Sequence, residues 1–415
     1  MITAERRAAA AVTWIPCQGW FSAQPHDAPA WIGVADGRIA EIATTPPAAA
    51  AGAVEDSSLY AVPLLADTHV HTYMEPWPVA PSQRALPGSQ PFEIEVADAM
   101  RRVDDALACG VGLLRDMGDP FGINLEVKRR LAARGAPAPE LLVCGHGFHR
   151  PKKYGRFLGR CCDTAADVCA SIDDLHRRRE IDYVKVVTTG IVDFAERRVK
   201  QPPQYSAEEL SEVVRRAHDL GYKVASHCSG QEGIDINLAA GVDFIEHAYF
   251  VREDQIDRMI ERGAAWTPTL APVDAQGRHA ECGWRDDVRR TIGMILQEHA
   301  SRIAYAVSRG ATVLVGTDAG SPGVDMGRGV RVELQRLATA GIPAERLLHM
   351  ATVGNARAIG AREYSPTLDI GGPASFALYE RCPWQDVRNL DSLRHVFWSG
   401  QRIAPVPSPG TPGEG

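Results

Sequence analysis

The chain has 415 residues, 45% of them hydrophobic and 23% charged, which is the usual composition of a soluble globular protein. This length is too great for one small domain and suits one large barrel with a smaller partner domain. A formal net charge of −7 argues against the basic surface of a nucleic-acid-binding protein, and no segment has the ~18 consecutive apolar residues of a membrane span.

The nine cysteines are scattered along the chain, and no two of them form a C-x-x-C pair. We therefore expect reduced thiols in a cytoplasmic protein, without a disulfide framework. The apolar run near the amino terminus is short, rich in alanine and without a good cleavage site, so we do not expect a signal peptide. The expected partner is a small-molecule substrate, with no nucleic acid and no membrane, and a homo-oligomer is left open.

In chain order, the first predicted elements are two strands in the segment WIGVADGRIAEIA, residues 31–43, joined by an Asp-Gly turn. Short apolar runs then alternate with amphipathic, charged segments through the middle of the chain. Ser206 and Glu209 form a capping box at the start of one such segment, which indicates a helix. The apolar runs read, in order, VPLLADTHVH, VGLLRDMG, ELLVCGHG, YVKVVTTG, KVASHC, FIEHAY, AWTPTL and TVLVGTDAG.

Eight strand–helix units over about 300 residues are the number in a (β/α)8 TIM barrel, so the predicted fold class is α/β. An open doubly wound sheet is the alternative, and the lack of a glycine-rich phosphate loop after the first strand disfavours it. Strands are again predicted in ASFALYE and HVFWSGQRI, which with those near the amino terminus would form a small β-sandwich. The predicted domains are residues 1–62 plus 361–404 for the β-sandwich, 63–360 for the barrel and 405–415 for a disordered tail.

Polar side chains recur where the predicted strands end. His69 and His71 lie at the end of the first strand, where side chains two residues apart point to the same side. A single His-x-His motif is also compatible with two surface or core histidines, so the residues at the other strand ends decide whether these two are metal ligands. In a barrel all these ends meet at one face, where imidazole and carboxylate groups are ligands for Zn²⁺. The strand ends carry His69, His71, Lys185, His227, His247 and Asp318.

Lys185 is the unusual member of this set. A buried ammonium between Val184 and Val186 is costly unless it is paired or neutralised, and it would repel a metal ion. An amine carboxylated by CO₂ would instead be an anion whose two oxygens can bridge two metal ions about 3.5–4 Å apart. The alternative is a lysine that is paired with an acidic neighbour.

These motifs resemble those of the amidohydrolase superfamily of metal-dependent hydrolases. The similarity covers nearly the whole chain, with ADGRIAEI similar to the family's sandwich hairpin and ATVGNARAIG similar to its helix after strand eight. It implies a TIM barrel beside a β-sandwich and two divalent metal ions, which we expect to be zinc. The implied ligands are His69, His71 and Asp318 for one ion, His227 and His247 for the other, and a carboxylated Lys185 bridging both together with a hydroxide. Asp318 would also take the proton of that hydroxide and return it to the leaving group.

Within the superfamily, DTHVH, VKVVTTG, SHC, IEHAYF and GTDAG look most like prolidase-like and N-acyl-amino-acid hydrolases, which are related to imidazolonepropionases. This resemblance implies cleavage of a C–N bond in an amide, N-acyl amino acid, dipeptide or cyclic amide by the metal-bridging hydroxide. The chain departs from the pattern at Ile191, where a second glycine is common, and at Ala248 and Tyr249, where a small residue and glycine are common. Both places would border the substrate, so they bear on its identity and not on the metal site.

Three alternatives remain. A lactone or carbamate hydrolase needs the same metals. A mononuclear deaminase on the same fold usually has a glutamate three residues after the strand-five histidine, where this chain has Gly230, and Glu232 follows two residues later. A non-enzymatic relative would be expected to lack several ligands, and this chain lacks none.

Further residues are candidates for contact with the substrate. His146 could hydrogen-bond the substrate carbonyl as charge develops on it, or cap a turn, and Tyr249 could also donate to that carbonyl. Arg115 ends the second strand and could contact substrate or form a salt bridge to Asp116 or Asp119. The basic loop CGHGFHRPKKYGRFLGRCC could hold a substrate carboxylate or be a solvated surface. Its candidate substrate-binding residues are Arg150, Lys153 and Tyr154.

Overall fold

The computed structural model describes residues 12–48, 57–85 and 88–404, so the predicted disordered tail and part of the predicted β-sandwich lie outside the described residues. The fold is of the α/β class, as predicted, with strands and helices alternating through the middle of the chain. No helix within these ranges is long and apolar enough to span a membrane.

The strands and helices have the following bounds. In chain order the strands are β1 (Thr13–Cys17), β2 (Gly19–Ser22), β3 (Gln24–His26), β4 (Ala30–Ala35), β5 (Arg38–Ala43), β6 (Tyr60–Pro63), β7 (Leu65–Val70), β8 (Val111–Asp116), β9 (Glu140–Val143), β10 (Gly147–Phe148), β11 (Val184–Val187), β12 (Val192–Asp193), β13 (Arg198–Val199), β14 (Val224–Cys228), β15 (Phe244–His247), β16 (Ala265–Thr267), β17 (Phe376–Tyr379), β18 (Leu393–Trp398) and β19 (Gln401–Ile403). The α-helices are α1 (Phe92–Ala108), α2 (Ile123–Ala133), α3 (Ala165–Arg178), α4 (Ala207–Asp219), α5 (Gln231–Ala240), α6 (Glu253–Arg262), α7 (Leu270–Arg278), α8 (Asp286–Ser308), α9 (Arg328–Ala338), α10 (Ala344–His349) and α11 (Asn355–Ile359).

Two parallel sheets form the middle of the molecule. One has the order β7-β8-β9, and the other has the order β10-β11-β14-β15-β16. Residues 312–319 lie between β7 and β16. On one side the Thr68 amide donates to the Val315 carbonyl at 3.1 Å. On the other side the Leu314 amide donates to the Trp266 carbonyl at 2.8 Å. Backbone hydrogen bonds therefore join the two sheets along this edge.

The helices between these strands follow their sequence signals, and α4 is an example. The Ser206 hydroxyl accepts from the Glu209 amide at 3.2 Å, and the Glu209 carboxylate accepts from the Ser206 amide at 2.9 Å, which is the predicted capping box. Such a cap stabilises a helix by about 1 kcal/mol. Apolar side chains three and four residues apart then pack against the sheet. These buried side chains are Leu210, Val213, Val214 and Ala217.

Strands from both chain ends pair beside the parallel sheets. One sheet has the order β19-β18-β17-β6-β2-β3, and a smaller one has the order β1-β4-β5. The predicted hairpin of residues 31–43 is β4 and β5, and its turn residues Asp36 and Gly37 have φ of 49° and 74°, which suits an Asp-Gly pair. Side chains from both sheets share a separate apolar cluster. It includes Ile15, Ile32, Ile39, Phe376, Leu378 and Phe397.

Candidate metal centre

The strand register brings the predicted ligands to one face, here called the strand-end face. His227 on β14 lies beside Val187 of β11, and His247 on β15 lies beside Cys228 of β14. Because parallel strands end at a common edge, the imidazole rings come together there. The ring centroids of His227 and His247 are 4.5 Å apart, and those of His69 and His247 are 4.9 Å apart.

Asp318 closes this group from the segment beside β7. Its amide donates to the His69 carbonyl at 2.7 Å. Its Oδ1 lies 3.4 Å from His69 Nε2 and 3.3 Å from His71 Nε2. Burial opposes ionisation of the carboxyl, but the hydrogen bonds and charges of the histidines outweigh it and hold the pKa of Asp318 well below its ordinary value. Ligand atoms of His69, His247 and Asp318 all lie within 4.8 Å of one another, which is a geometry that suits a metal ion.

Three of the imidazoles are fixed through Nδ1 by a protein oxygen. A backbone carbonyl can only accept, so His71 carries its proton on Nδ1, and we assign the same tautomer to His69 and His247 from their partners. This arrangement leaves Nε2 of each ring as a lone-pair donor for a metal ion. The Nδ1 partners are Glu246 Oε2 at 2.8 Å for His69, the Gly118 carbonyl at 3.3 Å for His71 and Thr269 Oγ1 at 2.7 Å for His247.

His227 shows that the group fits a metal ion. Its Nε2 is buried and has no hydrogen-bond partner within the described chain. Burial, together with the charge of Lys185, lowers the pKa of His227 to about 3. A buried, neutral imidazole with a free nitrogen is costly unless a ligand takes the lone pair, and a cation is the natural one here.

Lys185 lies under the same rings, with 1% of its surface exposed. Its Nζ contacts Met117 Sδ at 3.4 Å, and no ion pair of this ammonium is found in the described residues. Burial lowers the pKa of Lys185, although the nearby Glu246 acts against that shift. The alternative of a lysine paired with an acidic neighbour is therefore not supported by a direct contact.

The Arg115 side chain does not extend to the strand-end face, where a contact with the substrate was expected. Its guanidinium donates through Nε to the Thr68 carbonyl at 2.7 Å and through Nη2 to Glu246 at 2.8 Å. It is paired with neither of its two acidic neighbours in sequence. The guanidinium carbon also lies 4.5 Å from the ring centroid of Phe244, at the start of β15. The side chain thus points toward the amino ends of the strands, away from the strand-end face, and supports His69 through Glu246.

Of the three candidate substrate-binding residues in the basic loop, Tyr154 is the one whose ring lies beside a proposed metal ligand. Arg150 is buried against the ring of Tyr205 and donates to the Glu209 carboxylate at 2.7 Å, so its charge is paired within the protein. Lys153 is half-buried and forms no ion pair among the described residues. Tyr154 has its ring centroid 5.0 Å from that of His227. Burial and the charge of Asp318 raise the pKa of the Tyr154 hydroxyl.

Residues 150–160, here called the cover segment, are fixed over the strand-end face by two glutamines. The Gln204 amide donates to the Tyr154 carbonyl at 2.8 Å, and its oxygen accepts from the Arg150 amide at 2.9 Å. The Tyr154 amide donates to Gln201 at 3.3 Å. The two glutamines therefore hold the first half of the cover segment in place.

The two other expected catalytic side chains have partners in the structure. His146 is half-buried, with Nδ1 2.8 Å from the Asp119 carbonyl. Tyr249 donates its hydroxyl to the Thr269 carbonyl at 2.7 Å and lies beside the His247 ring. Tyr249 and Thr269 thus form a support for His247.

Sequence reasoning missed Thr269, Gln204 and His149. Gly147 of β10 pairs with Lys185, and the residue two positions on from Gly147 is His149. Strand alternation therefore places His149, and not His146, on the side that faces the ligand group. That alternation was available in the sequence as a signal. The contacts of Thr269 and Gln204 cross the whole fold and had no local signal.

The chain is similar to several known proteins in sequence and in fold. A sequence profile described as "Amidohydrolase family" matches residues 60–403. An uncharacterized protein of Mycobacterium tuberculosis is 26% identical over 392 residues, which cover 92% of this chain and 94% of that protein. Ochratoxinase of Aspergillus niger is 24% identical over 290 residues, covering 67% of this chain and 58% of the enzyme. The crystal structure of a Xaa-Pro dipeptidase with bound methionine superposes with a TM-score of 0.79 at 21% identity, covering 95% of this chain and 100% of that one.

Proposed function

We propose, from the premise that this chain belongs to the amidohydrolase family, that it hydrolyses a C–N bond of a small molecule with two divalent metal ions. The supporting observation is the convergence of His69, His247 and Asp318, whose ligand atoms lie within 4.8 Å of one another. The proposed ligands are His69, His71 and Asp318 for one ion, His227 and His247 for the other, and an N-carboxylated Lys185 between them.

We further infer that the parallel strands form a closed (β/α)8 barrel over residues 63–360. The hydrogen bonds of residues 312–319 to both β7 and β16 support closure at one side. At the other side the Asp182 amide, just before β11, donates to the Val143 carbonyl at the end of β9, at 2.9 Å. The strands of residues 1–62 and 361–404 would be the β-sandwich domain.

The metal ions, when bound, would activate a water and polarise the scissile carbonyl. Asp318 is the residue suited to move protons, because its carboxylate is ionised at neutral pH and retains 18% side-chain exposure toward the strand-end face. It would accept a proton from the attacking water on its carboxylate oxygen. It would then deliver that proton to the nitrogen that leaves, which makes the departing amine neutral.

The amine of Lys185 would be carboxylated because it is buried, lacks an ion-pair partner in the described residues and has a lowered pKa. A neutral amine can attack CO₂, form an N–C bond and release a proton. The product is an anion, which suits a position between cations better than an ammonium does. Zinc is the proposed metal, because imidazole and carboxylate oxygen suit it, although manganese and cobalt accept similar ligands.

We propose an amide-like scissile bond, as in N-acyl amino acids, dipeptides or cyclic amides. Matched proteins support this class by name, since they include a Xaa-Pro dipeptidase and a phenylurea hydrolase. A deaminase receives no support from Glu232, which is exposed on α5.

The test is a substrate screen with the zinc-loaded enzyme. N-acyl amino acids, Xaa-Pro dipeptides, hydantoins and lactones would be incubated with it and the products separated by chromatography. We expect release of a free amine and a carboxylate from at least one amide class. Turnover of lactones alone, or release of ammonia from an aminated heterocycle, would show that the proposed bond is wrong.

Metal analysis tests the centre independently of substrate. We expect about two metal ions per chain for the proposed bridged site, whereas a mononuclear site would hold about one. The variant His227→Asn should reduce the metal content. The control His349→Asn should not, because the His349 ring contacts the Ala23 carbonyl and is not one of the proposed ligands.

A further inference from the structure

We propose that a cavity at the amino ends of the parallel strands binds a small organic acid whose carboxylate pairs with Arg115. The cavity, here called the basal cavity, has a volume of about 660 Å³ and lies on the opposite side of the strands from the metal ligands. Such a volume is within the range of small-molecule sites. The lining residues that carry the argument are Arg115, Ala132, Glu140, Tyr183, Lys223 and Phe244.

The guanidinium of Arg115 is the feature that points to a ligand. The side chain is 1% exposed and lines the cavity. Two of its nitrogens donate to Thr68 and Glu246, but Nη1 is buried with no hydrogen-bond partner within the described chain. A buried charged donor without an acceptor is unfavourable, and a planar guanidinium is best matched by a carboxylate. An acid that enters the basal cavity would supply that acceptor.

The walls of the basal cavity indicate that the acid has an apolar body. The aromatic rings of Phe244 and Tyr183 lie 4.5 Å and 5.5 Å from the guanidinium carbon of Arg115. Alanine and leucine side chains form much of the remaining surface, including Ala132 and Leu141. Aromatic and aliphatic walls beside a cationic group suit an organic anion, in contrast to sites for hydrated inorganic ions.

Two of the three carboxylates that line the same cavity, Glu140 and Asp182, already accept hydrogen bonds from within the protein. Glu140 accepts from three consecutive backbone amides, at 2.9, 2.9 and 2.7 Å. Asp182 accepts from Lys128 at 2.6 Å and from the Val143 amide at 2.8 Å.

A second cation lies at the basal cavity. Lys223 Nζ is 5.3 Å from the ring centroid of Phe244 and, among the described residues, donates only to the Ala358 carbonyl, at 2.9 Å. Its charge therefore adds to that of Arg115 in attracting an anion.

The basal cavity is linked to the metal ligands by a short chain of contacts. Glu246 accepts from Arg115 on Oε1 at 2.8 Å and contacts His69 Nδ1 with Oε2 at 2.8 Å. An acid on Nη1 would share the guanidinium with Glu246 and leave that carboxylate more available to His69, which strengthens His69 as a ligand. We therefore expect the acid and a metal ion to favour each other's binding, by the same factor in both directions. The acid site itself does not depend on the proposed function.

The experiment uses benzoate as the probe and the full-length, metal-free protein, so that coordination of benzoate by a metal cannot contribute. Binding would be measured by titration calorimetry and by ligand-observed NMR. We expect Lys223→Met and Ala132→Phe to weaken benzoate binding about tenfold, by removing a cation and by filling the cavity. Matched controls are Lys200→Met, exposed beyond β13, and Ala133→Phe, exposed next to Ala132 on α2 but outside the cavity lining. Both controls should bind as the parent does.

Titrations with other compounds test whether the carboxylate of the ligand is what the cavity recognises. Benzamide, which has the same ring without the charge, should bind at least about tenfold more weakly than benzoate. The proposal is overturned if the parent does not bind benzoate, if all four variants bind equally, or if benzamide or sulfate binds as well as benzoate. Repeating the titration with zinc present tests the link to His69, and a lack of coupling would overturn the link alone. Failure to find two metal ions would instead count against the proposed function and leave the metal-free titration valid.

Discussion

His69 is held between two carboxylates, with Glu246 at Nδ1 and Asp318 near Nε2. Burial raises the pKa of Glu246, but the charge of Arg115 and the hydrogen bond from His69 outweigh it and lower the value to about 2. A permanent anion therefore fixes the orientation of the His69 ring. At this scale the centre depends on partners behind the ligands as much as on the ligands themselves.

The first prediction concerns Glu246→Gln. The neutral amide removes the anion behind His69 and leaves Arg115 with an uncompensated charge, so metal affinity should fall about 10- to 100-fold. The measurement is a competition titration with a chelating dye, with circular dichroism to check that the fold is kept. Glu253→Gln, at the exposed start of α6, is the control. Unchanged affinity in the Glu246 variant would remove Glu246 from the support of the centre.

The second prediction concerns Lys185→Ala. Loss of the carboxylated amine should lower activity by about 100-fold or more and reduce the metal content, because the bridging anion is absent. Added propionate should restore part of both, since its carboxylate can occupy the space left by the side chain. Lys200→Ala serves as the control for loss of a lysine charge. If the Lys185 variant kept two metal ions without propionate, the bridging role would be wrong.

At the scale of elements, the buried first turn of α7 is capped by a side chain from another helix, α9. Glu333 on α9 accepts from the Leu270 and Ala271 amides at 3.0 and 2.7 Å, so it satisfies the first donors of α7. Thr269, which supports His247, directly precedes that helix and has a φ of 50°. The cap therefore helps to hold an uncommon backbone conformation next to a metal ligand.

The third prediction follows from the burial of Glu333, which raises its pKa to about 8 from an ordinary value of 4.5. Between these values the folded chain binds more protons at this site than the unfolded chain. The free energy of unfolding contributed by Glu333 is thus fully present below pH 4.5 and is lost as the pH rises through 8. The loss should be about 5 kcal/mol at most, because the pKa in the folded chain lies about 3.5 above its ordinary value.

Glu333→Gln should flatten this dependence, because the amide does not titrate in the range. The measurement is urea unfolding at several pH values from 5 to about 9, compared with the parent. Glu345→Gln, exposed on α10, should show the slope of the parent. Equal slopes for the parent and the Glu333 variant would contradict the prediction.

The fourth prediction concerns the cover segment. Gln204→Ala removes both hydrogen bonds that hold Tyr154 and Arg150, so the amides of residues 150–160 should exchange with deuterium faster, by about tenfold for a bond pair worth about 1.4 kcal/mol. The measurement is hydrogen exchange with mass spectrometry. Gln297→Ala, exposed on α8, should leave the exchange unchanged. Unaltered exchange in both variants would show that the glutamine does not hold the cover segment.

Features set by neighbouring residues in the sequence could be predicted, whereas features set by contacts between distant residues could not. Seven of the eight apolar runs contain strands, because strand period is a local signal, whereas the eighth, TVLVGTDAG, forms isolated bridges to Trp266 and Val70 and has no strand of its own. The direction of Arg115 was not predicted, because it is set by Glu246 and Phe244, which lie more than a hundred residues away in the chain. The position of Thr269 likewise depends on its contact with His247 and not on a local pattern.

For the whole molecule, the metal ions should be part of the stability. Ions that bind only the folded chain stabilise it, by about 2.7 kcal/mol for one site at a free concentration of 100 times Kd. The fifth prediction is that chelation lowers the unfolding temperature and that added zinc restores it. The measurement is scanning calorimetry before and after dialysis against a chelator. An unfolding temperature unaffected by either step would mean that the centre does not bind zinc under these conditions.

Because β6 pairs with β17, the sheet that contains both strands cannot be completed on the ribosome until β17 has been synthesised. Pro63 lies opposite Phe376, so roughly 300 residues must be translated between the partners, which takes about 15 to 60 s at 5 to 20 residues per second. During that interval the early strands β2, β3 and β6 lack their later neighbour and expose an unpaired edge. Nascent chains of this protein are therefore expected to need a chaperone at that edge until β17 emerges from the exit tunnel.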